Sequence, residues 1–236
     1  MDVRIKMSSY KHLFFDLDHT LWDFDANCSE TLQELHGVYG LEKYQIRLED
    51  FIEKYKLINN RMWYDYNRGK ISKEEIRDTR FELTFEELGV ERSLTPPTLN
   101  KDFINICPTK ANLFPFAHEV LSYLGQKYTL HIITNGFRET QDVKITTTKL
   151  DMYFQEIINS ELCGYLKPDK RIFEYAILKN KAHARDCLMI GDDLYTDVHG
   201  ARNAGLDQVF FNPKELEHEE EVTYEIKCLS ELKKIL

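Results

Sequence analysis

The chain contains no apolar run that approaches the length needed to cross a bilayer, so no membrane-spanning helix is expected. Cysteine is sparse and unpatterned. Cys28, Cys107, Cys163, Cys187 and Cys228 are odd in number and show no CxxC spacing, which argues against a disulfide framework or a zinc site and fits a reducing cytoplasm. There is no basic excess. The 31 Lys and Arg are outnumbered by 40 Asp and Glu, for a net charge of −9, so neither a nucleic-acid polymer nor an anionic membrane is expected as the main partner. Met1 to Lys6 lacks the basic-then-apolar pattern of a secretory leader. Several familiar signatures are missing too: a phosphate loop ending in Gly-Lys-Ser/Thr, GxGxxG, GxSxG and HExxH. No internal repeat or low-complexity segment is present.

What is present is a 236-residue chain that is 42% hydrophobic and 30% charged. That suits one soluble domain with an insertion and a sizeable core. Residues 10–16 form a short apolar run that switches abruptly to acids, as expected of a parallel strand covered on both faces. From about Ala26 to Gly89 the spacing turns helical. Leu32, Leu35 and Tyr39 share one face. Leu48, Phe51, Ile52, Tyr55, Met62 and Tyr66 line a second helix, with a possible break at Asn59-Asn60. Ser72-Lys73-Glu74-Glu75 reads as a capping box before a third helix carrying Ile76, Leu83 and Leu88, with Gly89 as its stop.

Thr95-Pro96-Pro97 marks a boundary or helix start. After it, strands expected over 129–134, 156–159, 187–191, 208–211 and 225–228 alternate with helices over 116–126, 139–150, 170–179 and 193–204. The expected fold is therefore α/β, a Rossmann-like doubly wound parallel sheet (1–20 and 96–236) with an inserted all-helical domain (21–95). Ligands in such sheets bind at the carboxyl ends of the strands. The acidic run Glu215 to Glu221 reads as a solvated face.

The polar residues that follow the apolar runs carry the chemistry. Asp16 and Asp18, two apart at a strand end, can project into one region. Phosphate-ester cleavage through a covalent intermediate needs a carboxylate nucleophile and a separate acid for the leaving oxygen, and this pair supplies both. Read alone, the pair could equally cap a helix. An anionic nucleophile facing an anionic phosphate calls for a divalent cation, and Mg²⁺ prefers oxygen ligands. Asp16, the Asp18 carbonyl and Asp192 are the expected ligands, with Asp193, Asp197 and Thr20 around them. Asp192 and Asp193 could instead cap the helix that follows. Thr134, Asn135 and Gly136 can bind phosphoryl oxygens. Lys167, before Pro168, can neutralise the phosphorylated aspartate, with Asp197 orienting it.

These motifs, in this order, resemble the haloacid dehalogenase (HAD) superfamily of phosphatases. They are Asp16-x-Asp18-x-Thr20, then Thr134, then Lys167-Pro168, then Gly191-Asp192-Asp193 with Asp197. The resemblance implies a Rossmann-like core, Mg²⁺, Asp16 as nucleophile, Asp18 as acid and base, and a C1-type helical cap. The dehalogenases of the superfamily lack an acid at the position of Asp18 and use no metal, so Asp18 and Asp192 favour the phosphatase branch. The strings Ile133-Thr134-Asn135-Gly136-Phe137-Arg138-Glu139-Thr140-Gln141 and Trp22-Asp23-Phe24-Asp25 are similar to the pyrimidine 5′-nucleotidase branch. That branch implies UMP, dUMP or dTMP as substrate. A small phosphorylated metabolite is the expected partner, and the protein is expected to be a monomer or weak homodimer.

A base would want flat aromatic faces. Trp22, Phe24, Phe137, Trp63, Tyr64 and Tyr66 are candidates, although the cap aromatics could as well be core. Arg138 could touch substrate or be a surface arginine. Two other readings stay open: a phosphatase for a small carboxylic or sugar phosphate, and a non-catalytic binding protein on the same fold.

Overall fold

The computed structural model of the chain describes residues 10–236. Met1 to Lys6, and with it the reading on a leader, lies outside the described residues. In chain order the elements are β1 (His12–Phe15), α1 (Phe24–Tyr39), α2 (Leu48–Tyr66), α3 (Lys73–Glu87), α4 (Leu99–Ile106), α5 (Ala117–Leu124), β2 (Thr129–Thr134), α6 (Arg138–Thr147), β3 (Phe154–Asn159), α7 (Ser160–Cys163), α8 (Lys170–Lys179), β4 (Cys187–Gly191), α9 (Gly200–Asn203), β5 (Asp207–Phe211), β6 (Tyr224–Ile226) and α10 (Leu232–Ile235). The six strands form one sheet in the order β3-β2-β1-β4-β5-β6, and every pair is parallel. Strand order reverses at β1, so the crevice for a ligand opens beside it.

The apolar runs form strands because both faces are covered. Leu13, Phe14, Phe15, Ile132, Ile133, Leu188, Met189, Ile190 and Val209 are all buried. Phe15 stands opposite Ile132 on β2 and Ile190 on β4. The polar residues that follow on all three strands therefore come to the same edge of the sheet.

The chain divides into two compact units. The sheet unit runs through Asp23 and takes in 113–138 and 149–236; the helical unit holds 24–112 and 139–148. The expected boundaries at 20/21 and 95/96 thus move to 23/24 and 112/113. The reason is α4, which packs on α1 and α3. Tyr39 Oη is bonded to Thr98 Oγ1 at 2.6 Å and donates to Asp102. Asn27 Nδ2 donates to the Asn112 carbonyl at 2.8 Å, and the Asn112 N–H donates to Asn27 Oδ1 at 2.9 Å.

The residues 139–148, expected as part of the core, also belong to the helical unit. There Lys73 (3.1 Å) and Arg77 both pair with Glu139. The capping box is present, Glu75 N–H donating to Ser72 Oγ at 3.1 Å and Ser72 N–H to Glu75 Oε2 at 2.7 Å. α2 runs through Asn59-Asn60 without a break. Asn59 is buried and its Oδ1 accepts from the buried Arg80 at 3.0 Å, so it is a core residue of the helical unit and not a breaker. The buried stripe of α3 is Ile76, Arg80, Phe81, Thr84 and Phe85; Leu83 and Leu88 flank it half-buried.

His131, on β2, has no exposed surface. Its ring stacks on Phe14 at 4.8 Å, and its Nε2 lies 3.1 Å from His12 Nδ1. Burial, seconded by His12, pushes its pKa down to about 4. The folded state therefore prefers the neutral ring. As pH falls below the unfolded value near 6.5, the unfolded chain takes up a proton that the folded chain refuses. Stability is lost through that window and the loss levels off below about 4. Its full size is about 3 kcal/mol. His131→Phe is expected to flatten the melting temperature against the unaltered chain between pH 6.5 and 4; parallel profiles would contradict the assignment.

Candidate active site

The sheet places the predicted residues at one edge. Asp16 follows β1, and its N–H donates to the Ile190 carbonyl of β4 at 2.9 Å. Asp192 is two residues beyond Ile190. Thr134 ends β2 on the other side of β1. After Asp16 the chain folds back tightly: Leu21 and Trp22 N–H both donate to the Leu17 carbonyl, His19 N–H donates to the Trp22 carbonyl, and His19 takes φ +61°. This turn brings Thr20 under Asp192, where its hydroxyl donates to Asp192 Oδ1 at 3.0 Å.

Lys167 is the hub. Its Nζ lies 2.6 Å from Asp16 Oδ1 and 2.6 Å from Asp197 Oδ1, all three side chains being buried. Asp197 reaches it because the chain after β4 winds through a π-helical turn, Leu194–His199, in which Asp197 and Val198 N–H both donate to the Asp193 carbonyl. Two glycines make room. A Cβ on Gly191 would fall inside the Asp197 carboxylate. One on Gly200 would lie 2.8 Å from Phe173 and 2.9 Å from Pro168 Cα. The first keeps Asp197 beside β4 and the second lets α9 sit against the turn that carries Lys167.

Carboxyl oxygens of Asp16, Asp192 and Asp197 lie within 4.8 Å of one another. Burial pushes Asp16 up to about 7, against the pull of Lys167. Burial likewise raises Asp197 to about 6, again opposed by Lys167. Asp192 is driven well above the usual range by burial and by its neighbour Asp16. Burial alone would lower Lys167, but the two carboxylates it touches raise it instead, so it stays an ammonium. Three crowded acids thus share one cation, and the excess negative charge fits a divalent ion held by oxygen.

The other predicted residues fall as follows. Asp18 is half-buried and adds its repulsion to Asp16; its carboxylate is not one of the three clustered acids. Asp193 is exposed and caps the π-helical turn, accepting from Tyr195 N–H at 2.9 Å and Thr196 N–H at 2.6 Å. It also stands beside the cluster, its own N–H donating to Asp197 Oδ2 at 3.2 Å. Thr134 is buried and its Oγ1 accepts the Gly136 N–H at 3.1 Å. Asn135 reaches the main chain of Lys167, a role the sequence reading did not give it.

Among the aromatic candidates, Trp22 has no exposed surface. It is packing of the sheet unit and offers no face to a base, which corrects the expectation. Phe137 is also buried, at 6% exposure. Phe24 opens α1 half-buried. In the helical unit Trp63 and Tyr66 meet edge to face at 5.4 Å, and the exposed Tyr64 ring is covered by the Arg68 guanidinium at 3.4 Å. Arg138 is exposed, and its N–H donates to Glu161 at 3.1 Å.

The model of the haloacid dehalogenase-like hydrolase family matches residues 13–211, a span that holds all four motifs. The chain belongs to this family. It is 35% identical to the pyrimidine 5′-nucleotidase YjjG of Escherichia coli strain K12, over 95% of this chain and 96% of that one. It is 32% identical to the pyrimidine 5′-nucleotidase PynA of Streptococcus pneumoniae, over 94% and 93%. Among solved structures, the HAD-hydrolase YfnB of Bacillus subtilis, bound to magnesium, superposes with a TM-score of 0.84 at 33% identity and covers 96% of this chain and 98% of that one. Among the described residues no helix is long and apolar enough to cross a membrane.

Proposed function

We propose that this HAD hydrolase is a Mg²⁺-dependent nucleoside 5′-monophosphatase that prefers pyrimidine nucleotides. The observation that carries the phosphatase reading is the meeting of Asp16, Asp192 and Asp197, the first and last of them paired with one buried lysine. The nucleotide preference rests on YjjG and PynA, both pyrimidine 5′-nucleotidases and both matched along almost the whole chain.

In the first step a carboxylate oxygen of Asp16 attacks phosphorus. The bond from phosphorus to the ester oxygen breaks, its electron pair leaves with that oxygen, and Asp18 supplies the proton that makes the nucleoside hydroxyl. In the second step Asp18, now a carboxylate, takes a proton from water. The resulting hydroxide attacks phosphorus, phosphate departs and Asp16 is restored. Lys167 holds Asp16 in its attacking position and balances charge on the phosphoryl oxygens, while the Thr134–Gly136 turn offers them donors.

The side chains of Asp16 and Asp192 and the Asp18 carbonyl would hold the ion, since Asp197 is committed to Lys167. When bound, the ion offsets a repulsion between nucleophile and phosphate of about 4 kcal/mol at ~4 Å. The free state of all five cysteines supports a cytoplasmic setting.

A panel of UMP, dUMP, dTMP, sugar phosphates and phosphoglycolate, assayed for released phosphate with and without EDTA, tests this reading. Pyrimidine nucleotides are expected to turn over fastest, and EDTA to abolish turnover until Mg²⁺ is restored. Faster turnover of sugar phosphates or phosphoglycolate would remove the nucleotide preference. Full activity in EDTA would remove the metal.

A further inference from the structure

We propose that Asn135 is a positioning residue. Its side-chain amide sets the main chain of Lys167, so that the phosphate-binding turn after β2 and the lysine before α8 meet a phosphoryl group as one rigid piece. The inference rests on the phosphoryl-transfer reading above.

Lys167 is only 2% exposed and lies outside any helix or strand. Its buried N–H and C=O therefore need partners that no ladder provides. One planar group supplies both. Lys167 N–H donates to Asn135 Oδ1 at 2.8 Å, and Asn135 Nδ2 donates to the Lys167 carbonyl at 2.9 Å. A single hydrogen bond would leave the lysine backbone free to twist; two bonds from one amide fix both its distance and its rotation.

The residue type follows from that geometry. Aspartate offers acceptors but no donor, serine has too short a reach for both groups, and glutamine is one methylene too long. Asn135 is itself buried at 8% exposure. It sits in the middle of a turn closed by the Gly136 N–H on Thr134 Oγ1. The turn is thus fixed on one side, and its central side chain reaches across 32 residues of sequence to fix the other.

The consequence falls on Nζ. Lys167 spans four methylenes to touch two carboxylates at 2.6 Å each. Both contacts depend on where its backbone starts, and misplacement by about 1 Å at a reacting group can cost about a hundredfold.

A double-mutant cycle on orthovanadate binding, with Mg²⁺ present, separates a residue that acts through Lys167 from one that binds the anion itself. Asn135→Ala is expected to weaken vanadate by about tenfold in the chain that keeps Lys167, and by less than about twofold in Lys167→Met. If binding to Lys167→Met is too weak to measure, Lys167→Gln, which keeps a polar tip without the charge, serves as the second background. If Asn135→Ala fails to fold, Asn135→Ser, which is neutral and too short to reach both groups, is expected to give the same pattern. An equal loss in both backgrounds would overturn the inference. Absence of vanadate binding to the unaltered chain would instead bring down the phosphoryl-site reading, and the inference with it.

Discussion

Asp16→Asn is expected to lower turnover of any phosphate ester by about 10⁴-fold or more while leaving the metal-free fold as stable as before, or more so. The two halves of this result come from the same geometry. Asparagine keeps the shape but has no anionic oxygen to attack phosphorus, so the covalent route closes. On the stability side, burial has already pushed Asp16 up to about 7. A carboxyl raised above its unfolded value costs stability as pH climbs through that range. Removing its charge relieves the crowding with Asp192 and Asp197 and leaves Lys167 its second partner at 2.6 Å. Phosphate release in the steady state and thermal melting at pH 8 in EDTA check both parts. A variant that keeps more than about a hundredth of the activity would exclude Asp16 as nucleophile.

Lys167→Met produces the opposite balance. The side chain is nearly as long and packs as well, but Asp16 and Asp197 then face each other across a buried space with no cation. Breaking a buried pair by removing one partner costs about 3–5 kcal/mol, and for a chain of this size each kcal/mol lowers the melting temperature by about 2–4 °C. A drop of about 10 °C is expected at pH 8 without metal. The sign of the pH dependence follows from the acids. Both are already raised, Asp197 to about 6 and Asp16 to about 7, and loss of the ammonium raises them further. Acidification neutralises them, so the deficit shrinks as pH falls toward 5, whereas a mere packing defect would persist. Turnover is expected to fall by about 10²–10³-fold, the scale of removing a donor that meets developing charge. An unchanged melting temperature would mean that the lysine is not the counter-charge of this cluster.

The site was legible in the sequence wherever a residue's role is fixed by its place at the end of an apolar run. β1, β2 and β4 announce themselves as continuous hydrophobic stretches because parallel strands are covered on both faces. The acids and the threonine that follow them must then leave the sheet at its carboxyl edge. Asp197 paired with Lys167 as expected, although 30 residues separate them.

What the sequence hid depends on side-chain direction. Asn135 stands in the phosphate turn, where the backbone N–H groups are the expected donors, and nothing in the sequence says that its side-chain amide reaches the lysine backbone. Asp193 looks like its neighbour Asp192, but one residue further on it points at the N–H groups of the next turn. Trp22 lies four residues past Asp18 and reads as a substrate face; the tight reversal at Leu17–Trp22 buries it instead. The π-helical turn was not expected from the sequence; within it Asp197 meets Lys167 while Asp193 caps. α4 was signalled only by the Thr95-Pro96-Pro97 boundary or helix start; its place is secured by Tyr39, bonded to Thr98 and Asp102, and by Asn100, which donates to the Asp78 carbonyl and to Glu82.

The most direct test is to trap the covalent intermediate. The protein, mixed with Mg²⁺ and excess UMP, is quenched in acid, reduced with borohydride and mapped by peptide mass spectrometry. An aspartyl phosphate at Asp16 would be recovered as homoserine at position 16, absent when UMP is omitted and absent in Asp16→Asn. Phosphate release with no such change at Asp16, under conditions where turnover is running, would contradict the account.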